Sequence, residues 1–233
     1  MNPALPKKHK LSEARKGWVN PAPLSKKKEL NPTPLTGTRK KRNIKRCGVR
    51  TVLLVVDMQN DFIYFKNSPV YVPPAKKIIP KIVKLLTACR KKKIPIVYAI
   101  TSHKKDRSDW ALLDKKYNRA YCIESTPGAR LIPEINPQKK EYLVKKRRYS
   151  AFYQTGLDRL LKRLKVKRLI VCGVTTSCCV SSTVRDAYFQ DYEVIVVSDV
   201  VSATHRDLHR AALKYFKENI GLVLKTDEVI KKI

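Results

Sequence analysis

The stretch 169–200 restricts the possible folds of this chain more than any other part of it. Its two apolar runs, 169–172 and 194–197, are each long enough for a buried strand, and the second ends at 198–199. The turn 173–176 follows the first run and leads into a helical pattern of apolar positions with a spacing of four residues. Those positions are Val180, Val184 and Tyr188. Strand, helix and strand in this order predict a right-handed crossover in a parallel sheet.

Two thiols, Cys178 and Cys179, stand where the helical pattern begins. The aligned peptide dipoles at a helix N-terminus favour the thiolate form of a cysteine placed there. The backbone amides of the same turn can hold an oxyanion. This position therefore has the geometry that a nucleophilic cysteine needs.

The chain contains six cysteines without a CxxC pair or a regular spacing. This pattern argues against a zinc ribbon and against a disulfide scaffold. It is typical of reduced thiols in a reducing, intracellular compartment. No apolar run approaches the ~18 residues of a membrane span, so we expect no membrane insertion.

The net charge of +32 over 233 residues is extreme for a metabolic enzyme. Residues 1–50 carry 15 Lys and Arg against 2 Glu, which gives +13, and residues 51–233 contribute the remaining +19. Both parts are basic, so the charge is not confined to a tail. Such a balance favours polyanionic partners, nucleic acid above all or an anionic membrane surface.

Residues 1–50 form one compositional unit, an arm rich in Pro and Lys with few apolar residues. Alone in water this arm is predicted to be disordered. We expect it to run in an extended form along RNA or a ribonucleoprotein, with wrapping around its own domain or a sister subunit as the alternative. The basic residues expected to contact RNA are Lys7, Lys8, Lys10, Lys26, Lys27, Lys28, Arg39, Lys40, Lys41 and Arg42.

Residues 51–233 read as a single α/β domain. The predicted strands outside the central stretch are 51–56, 96–100, 141–144 and 221–224, and the predicted helices are 80–92, 157–164 and 208–216. The last helix is expected to face the core through Leu208, Ala211, Ala212, Tyr215 and Phe216. Residues 101–140 lack a period and are expected to form substrate-enclosing loops.

Three polar residues lie at or just beyond predicted strand ends: Asp57, Lys146 and Cys179. Active sites of parallel sheets lie at the carboxyl ends of the strands. An aspartate can take a thiol proton, a lysine can keep that aspartate ionised, and a cysteine can attack a carbonyl carbon. The three residues therefore form a candidate catalytic triad.

Four motifs resemble those of the isochorismatase-like cysteine hydrolases, which include nicotinamidases, N-carbamoylsarcosine amidohydrolase and ureidoacrylate hydrolases. They are LLVVDMQNDF at 53–62, STPGARLIPEI at 125–135, KRRYSAF at 146–152 and GVTTSCCVSSTVRDA at 173–187. The motifs occur in the family's order and cover the globular part of the chain. The resemblance implies a three-layer α/β/α fold with a six-stranded, mostly parallel, Rossmann-like sheet.

The resemblance also assigns roles to individual residues. It makes Asp57 the general base, selects Lys146 rather than Lys145, and selects Cys179 rather than Cys178 as the nucleophile. It places the oxyanion hole at the backbone amides of Thr175 and Cys179, and a cis peptide between residues 174 and 175. The implied reaction is hydrolysis of a small amide.

Further site residues are less constrained by the sequence. Gln59, Phe62, Tyr149 and Phe152 are expected to line a substrate pocket, with core packing an equal alternative for the aromatic rings. Nicotinamidases carry an Asp-x-His metal site after the second strand, and this chain has SHKKD at 102–106 instead. We therefore expect no metal or other cofactor and do not expect nicotinamide as substrate. His103, His205 and His209 are expected at the surface or as helix caps.

Two hypotheses about function follow. The first is a cysteine hydrolase of small amides that carries an RNA-binding arm. The second is a hydrolase fold recruited as a structural component of a ribonucleoprotein such as an organellar ribosome, with the triad retained or vestigial. The compartment would be mitochondrial in a ribosome-bound protein and cytoplasmic otherwise, and a homo-oligomer is possible in either setting.

Overall fold

A computed structural model describes residues 50–233, which form an α/β/α sandwich around one sheet. The strands are β1 (Thr51–Val56), β2 (Ile96–Thr101), β3 (Tyr142–Lys146), β4 (Arg168–Val174), β5 (Glu193–Ser202) and β6 (Leu222–Leu224). All neighbouring pairs are parallel, and the spatial order is β3-β2-β1-β4-β5-β6. The strand order reverses between β1 and β4, and ligands of open α/β sheets bind in the crevice at such a switch point.

Seven α-helices accompany the sheet within the described range. They are α1 (Asn60–Ile63), α2 (Ile79–Lys91), α3 (Leu112–Lys116), α4 (Leu157–Arg163), α5 (Ser181–Phe189), α6 (Arg206–Tyr215) and α7 (Thr226–Ile230). Short 3₁₀ segments span Pro73–Ile78, Pro127–Ala129 and Pro133–Ile135, and π-helical turns span Thr176–Val180 and Phe216–Ile220. Within residues 50–233, no helix combines the length and the apolar character that crossing a bilayer requires.

The two faces of the sheet bury separate hydrophobic layers. Leu53 of β1 packs into the layer that contains Leu85 of α2. Leu54 points to the opposite face, into the layer that contains Leu161 of α4 and Val184 of α5. Alternate β1 side chains thus serve opposite layers, which explains why the strand is apolar throughout. Each fully buried side chain of this size stabilises the fold by about 1.5–3 kcal/mol.

The predicted fold class is confirmed, and several elements end close to their expected positions. Pro80 lies in the first turn of α2, where its missing N–H costs no helical hydrogen bond. Residues 101–140 contain one short helix and two 3₁₀ turns and otherwise form loops, as their lack of a period indicates.

Two expectations about the second half of the domain are corrected. β5 does not stop at Asp199 but continues to Ser202, because its pairing with β4 resumes after a register shift between Val171 and Gly173. The helix predicted at 208–216 packs on the core through Ala212, Tyr215 and Phe216 as expected, whereas Leu208 is 49% exposed. Its anchors are Phe216 and Ile220, which lie in the following π-helical turn.

The arm 1–50 and its ten predicted RNA-contacting residues lie outside the described residues, apart from Arg50. The expectation that the arm contacts RNA therefore stays a prediction. Arg50 leads directly into β1, so the chain enters the sheet at the amino-terminal edge of its strands.

Candidate active site

The carboxyl ends of β1 and β3 bring Asp57 and Lys146 together. Nζ of Lys146 lies 2.8 Å from Oδ2 of Asp57, and the two side chains are 1% and 0% exposed. Thr101, at the end of the intervening strand β2, connects them. Its hydroxyl donates to Oδ1 of Asp57 at 2.9 Å and accepts from Nζ of Lys146 at 2.8 Å, and its N–H also donates to Oδ1.

Burial and charge act in opposite directions on Lys146. Burial alone would lower the pKa of its ammonium, but the Asp57 carboxylate and the Cys179 sulfur outweigh burial, so the pKa is raised. The ammonium therefore stays charged. An unpaired buried charge would be costly, and the close pairing with Asp57 meets that cost together with the hydrogen bonds that the ammonium donates to the Thr101 hydroxyl and to the Arg148 carbonyl.

The sulfur of Cys179 completes this group from the other side of the switch point. Cys179 lies in the π-helical turn after β4, is 5% exposed, and its sulfur is close enough to Lys146 to help raise the pKa of that ammonium. Its hydrogen bond to Cys178 and its burial raise the pKa of the Cys179 thiol well above the ordinary value, against the opposing effect of Lys146. The resting sulfur is therefore a thiol, so a base must remove its proton before it can attack.

Cys178 is a second thiol at the same place, and it is partly exposed. Its hydrogen bond with Cys179 lowers the pKa of Cys178, and a further hydrogen bond from Tyr149 acts in the same direction. The two thiols therefore shift each other's pKa in opposite directions, up for Cys179 and down for Cys178.

The turn between β4 and the cysteines is held close to β1. Gly173 has φ of +113°, and a Cβ there would lie 2.0 Å from the Val56 carbonyl oxygen, so only glycine fits. The peptide between Val174 and Thr175 is cis, as the resemblance implies. The Thr175 carbonyl accepts hydrogen bonds from the N–H groups of Cys178 and Val180, which orders the turn that presents the nucleophile.

The side chain of Gln59 connects the end of β2 to the loop that contains Pro127–Ala129. The Gln59 amide donates to the carbonyls of Thr101 and Ala129, both at 2.8 Å, and accepts from the Thr101 N–H. Nearby, Asp61 accepts the N–H of Cys122, and a Cβ on Gly128 would lie 2.4 Å from the Asp61 carboxyl atoms. The side chains of Gln59 and Asp61 therefore hold the backbone beside the site in place.

A cavity of about 850 Å³ opens above the cysteines. Phe62 and Tyr149 line it, as expected, and Cys179 and Thr175 lie in its wall. Gln59 and Phe152 do not line it, which corrects that part of the prediction. Gln59 is fully buried with its amide occupied, and Phe152 packs in the core against Tyr192.

Several residues of the cavity were not singled out from the sequence. Arg119 and Asp114 form an ion pair at 3.4 Å in its wall, and Asp114 also accepts a hydrogen bond from Tyr121. These residues fall in the aperiodic segment 101–140, which gives no signal about orientation. Thr101 could have been found, because it is the polar residue that ends an apolar strand.

The histidines differ in position from one another. His103 is 2% exposed rather than at the surface, because its ring packs against Tyr121 and Trp110. Burial lowers the pKa of His103, so its imidazole is neutral. His205 is exposed and precedes α6, and His209 shares a hydrogen bond with Thr176 at 2.9 Å.

The residues after β2 do not fit the metal site of nicotinamidases. Ser102 donates to Glu124, and Asp109 is paired with Arg147 and accepts the Lys104 N–H. Among residues 50–233 there is no group of three or more His, Cys, Asp or Glu side chains that could hold a metal ion. We therefore derive no step through a metal.

A buried Asp–Lys pair beside a cysteine on the crossover turn of a parallel sheet defines the site of a cysteine-hydrolase fold. The Isochorismatase domain model matches residues 51–228, so the chain belongs to the isochorismatase family.

Individual relatives cover nearly the same part of the chain. A probable inactive nicotinamidase of Arabidopsis thaliana is 32% identical over 76% of this chain and 92% of its own length. Nicotinamidase 3 of the same plant is 28% identical over 78% of this chain and 87% of its own length. The crystal structure of a cysteine hydrolase from Pseudomonas syringae superposes with a TM-score of 0.73 at 30% identity, covering 78% of this chain and 92% of that one.

Proposed function

We propose that this protein hydrolyses a C–N bond of a small amide through a covalent intermediate on Cys179, with Asp57 as the general base. The observation that carries the proposal is the convergence, at the switch point, of the buried Asp57–Lys146 ion pair and the Cys179 sulfur, which helps to raise the pKa of Lys146. The family membership and the amidase and cysteine-hydrolase relatives support the same reaction class.

The first half of the reaction forms an acyl-enzyme. Asp57 takes the thiol proton of Cys179, and the sulfur attacks the amide carbonyl carbon. The backbone N–H groups of Thr175 and Cys179 are proposed to stabilise the resulting oxyanion. The C–N bond then breaks, the nitrogen leaves with the proton held by Asp57, and a thioester remains on Cys179.

The second half returns the enzyme to its starting state. Asp57 deprotonates a water molecule, which attacks the thioester carbonyl, and the carboxylic acid leaves while the sulfur regains its proton. Lys146 keeps its own proton throughout, since its pKa is raised. Its positive charge holds Asp57 ionised and offsets negative charge that develops on the sulfur.

The walls of the cavity indicate a small planar or partly apolar substrate. Phe62, Tyr121, Tyr149 and Tyr153 provide aromatic surface, and charged groups that include Arg119, Asp114 and Arg148 lie among them. Such a mixture of apolar walls and a few polar groups is usual for small-molecule sites. We do not propose nicotinamide, because Ser102 and Asp109, which follow β2, are bonded to Glu124 and Arg147, and no cluster of metal-ligating side chains lies within residues 50–233.

The proposal is tested by trapping the intermediate. The full chain is incubated with a panel of primary amides and ureido acids, and released ammonia is measured alongside the intact mass of the protein after an acid quench. We expect ammonia release with at least one class and a transient mass increase on the peptide that contains Cys179. The matched Cys179→Ala variant should show neither. Turnover retained by that variant would disprove the role of Cys179.

We infer a second property, RNA binding through the arm 1–50, from charge alone. The ten basic residues named above account for much of the +13 of the arm. A soluble amidase has no need of this charge, whereas a ribonucleoprotein component does. Placement of the protein in an organellar ribosome, in mitochondria, is part of this inference; without RNA binding we propose a cytoplasmic, reducing location.

The arm is tested in the full chain by replacing those ten residues with Gln. Affinity for a labelled RNA is measured by fluorescence anisotropy at several KCl concentrations. We expect weaker binding and a shallower dependence on salt than in the wild type. Unchanged affinity at low salt would remove the arm from any RNA-binding role, without bearing on the hydrolase proposal.

A further inference from the structure

The edge of the sheet opposite the cavity carries a concentration of exposed cations. Here α2 ends and the chain turns into β2 through Lys91, Lys92 and Lys93, all exposed. On the other face of the sheet α4 ends and the chain turns into β4. Arg163 and Lys167 flank that turn and are exposed.

Two further positions extend this surface. Arg50 precedes β1, and its carbonyl accepts the N–H of Lys167, so the two residues are neighbours. Lys139 and Lys140 precede β3 and are exposed. The cations thus lie before four adjacent strands, β3-β2-β1-β4. With a strand spacing of about 4.8 Å, they span on the order of 15 Å along the sheet edge.

The acidic residues of this edge are largely occupied by other partners. Glu141 is paired with Arg90, Glu193 with Arg168 and Asp158 with Lys162. Within residues 50–233, the exposed cations from Lys91 to Lys93 and at 139, 140, 163 and 167 have no ion pair. Asp191 and Glu218, which precede β5 and β6, are exposed carboxylates without an ion pair among the described residues. The surface therefore has a strong excess of positive charge.

Helix-dipole stabilisation does not account for the whole cluster. Basic residues in the last turns of α2 and α4 interact favourably with the carbonyl ends of those helices. That effect falls off within one turn, and Lys93, Lys139 and Lys167 lie outside the helices. Their charges repel one another and find no counter-charge in the domain.

Exposed aromatic rings lie at the same edge. α5 ends there, and its last residues Tyr188 and Phe189 are 45% and 73% exposed, with their rings 6.0 Å apart. A ring on a cationic surface is the usual platform for an unpaired base, while lysines contact the phosphates. Rings beside cations also suit an anionic bilayer, and the vesicle experiment below distinguishes that ligand from RNA.

We propose that this surface binds single-stranded RNA. We call it the cationic edge, and it consists of Arg50, Lys91, Lys92, Lys93, Lys139, Lys140, Arg163, Lys167 and Phe189. It is distinct from the active site, because it lies at the amino-terminal ends of the strands and the cavity lies at their carboxyl ends. The choice of RNA as ligand rests on the proposed RNA binding by the arm, which joins the domain at Arg50. The surface itself is defined by described residues only.

The test compares two variants of the full chain with equal charge change. The edge variant replaces Lys91, Lys92, Lys139, Arg163 and Lys167 with Gln, which avoids the positions with positive φ. The control variant replaces five exposed lysines elsewhere on the domain with Gln. These are Lys66, Lys77, Lys105, Lys231 and Lys232.

Binding of a fluorescein-labelled 20-nucleotide single-stranded RNA is measured by anisotropy over a range of KCl concentrations. We expect the edge variant to bind at least about tenfold more weakly than the control variant and to lower the log–log salt slope by about 3, at roughly 0.7 per lost phosphate contact. Thermal unfolding midpoints verify that both variants fold. Equal affinities and slopes for the two variants would overturn the proposal.

Two further comparisons separate the edge from its alternatives. Phe189→Ala should weaken RNA binding about fivefold or more without changing the salt slope, whereas Phe65→Ala, an exposed ring elsewhere, should not. Edge-dependent binding to phosphatidylglycerol vesicles with no binding of RNA would assign the surface to membranes and overturn the proposal. If the variant with the ten arm substitutions bound RNA normally while the edge variant bound it weakly, RNA binding by the arm would be refuted and RNA binding by the edge would be supported.

Discussion

The ammonium of Lys146 lies 2.8 Å from the carboxylate of Asp57, and neither side chain reaches solvent. The two charges are placed there by strands that are not neighbours, with Thr101 of the strand between them bonded to both. In this setting the carboxylate is paired with a cation and shielded from solvent. Such a carboxylate is well suited to accept a proton from the adjacent thiol.

Removing the charge of Lys146 should lower both the stability of the fold and its catalytic activity. Lys146→Met leaves the Asp57 carboxylate buried without its cation, so we expect the free energy of unfolding to fall by about 3–5 kcal/mol and ammonia release to fall at least 100-fold. Urea unfolding and amide turnover measure the two effects.

The double variant Asp57→Asn with Lys146→Met serves as the control. It removes both charges, so part of the stability should return while turnover stays absent. If Lys146→Met proved as stable as the wild type, the pair would not be the buried ion pair described here.

Cys178 should set the pH at which Cys179 becomes reactive. The hydrogen bond to Cys178 is the main cause of the raised pKa of Cys179. In Cys178→Ala the alkylation of Cys179 by iodoacetamide should therefore reach half its maximal rate at a lower pH. Mass spectrometry of the modified peptide measures this profile and distinguishes the two positions.

Turnover distinguishes the two thiols as well. We expect Cys178→Ala to keep activity within about tenfold of the wild type, whereas Cys179→Ala should lose at least about 10³-fold. The reverse result, with Cys178 essential and Cys179 dispensable, would exchange their roles.

Gly128→Ala should disturb the floor of the site. The added methyl would lie 2.4 Å from the Asp61 carboxyl atoms, which accept the Cys122 N–H. We expect a loss of about 1–3 kcal/mol in the free energy of unfolding, measured by urea titration. Gly156→Ala has no atom within 4 Å of the new Cβ and should change stability by less than about 1 kcal/mol. Equal effects at the two glycines would contradict the close packing at Gly128.

Asp199 should make stability depend on pH in the acid range. Burial would raise the pKa of this carboxyl, but its hydrogen bonds to Lys81 and Thr226 prevail and lower it. A lowered folded-state pKa gives stability that is fully present above about pH 4, the unfolded value, and is lost as the pH falls through the folded value.

The matching experiment uses Asp199→Asn. At pH 7 the variant should be less stable than the wild type by about 1–2 kcal/mol, and the difference should shrink steadily below pH 4. Urea unfolding at pH 7, 5 and 3 measures it. A difference that is constant across this range would show that the carboxylate charge is not what ties β5 to α2 and α7.

The sequence predicted the sheet because its strands are apolar over their full length and their order alternates with helical patterns. It predicted the place of Asp57, Lys146 and Cys179 because strand ends in parallel sheets converge. Leu208 of α6 was wrongly assigned to the core, because the periodicity of apolar residues does not reveal how far another element covers that face. β5 was cut short at Asp199, because a carboxylate inside a strand looks the same in sequence as one in a turn.

The surroundings of the triad were harder to predict than the triad itself. The positions of Arg119, Asp114 and Tyr121 depend on how the loop 101–140 folds back over the sheet, which no local pattern encodes. Gln59 follows a strand end like Asp57, yet its amide is consumed by backbone groups of the loop that carries Gly128. Only the three-dimensional contacts show that Asp57 pairs with Lys146 while Gln59, two positions further on, supports the backbone.

The length of the parallel strands also has a mechanical meaning. β1 has 6 residues, so the two ends of the sheet are separated by about 20 Å of rigid, fully paired backbone. A partner bound at the cationic edge would leave the opening of the cavity facing the solution. Binding to a large assembly and turnover of a small substrate would then use different surfaces of the domain.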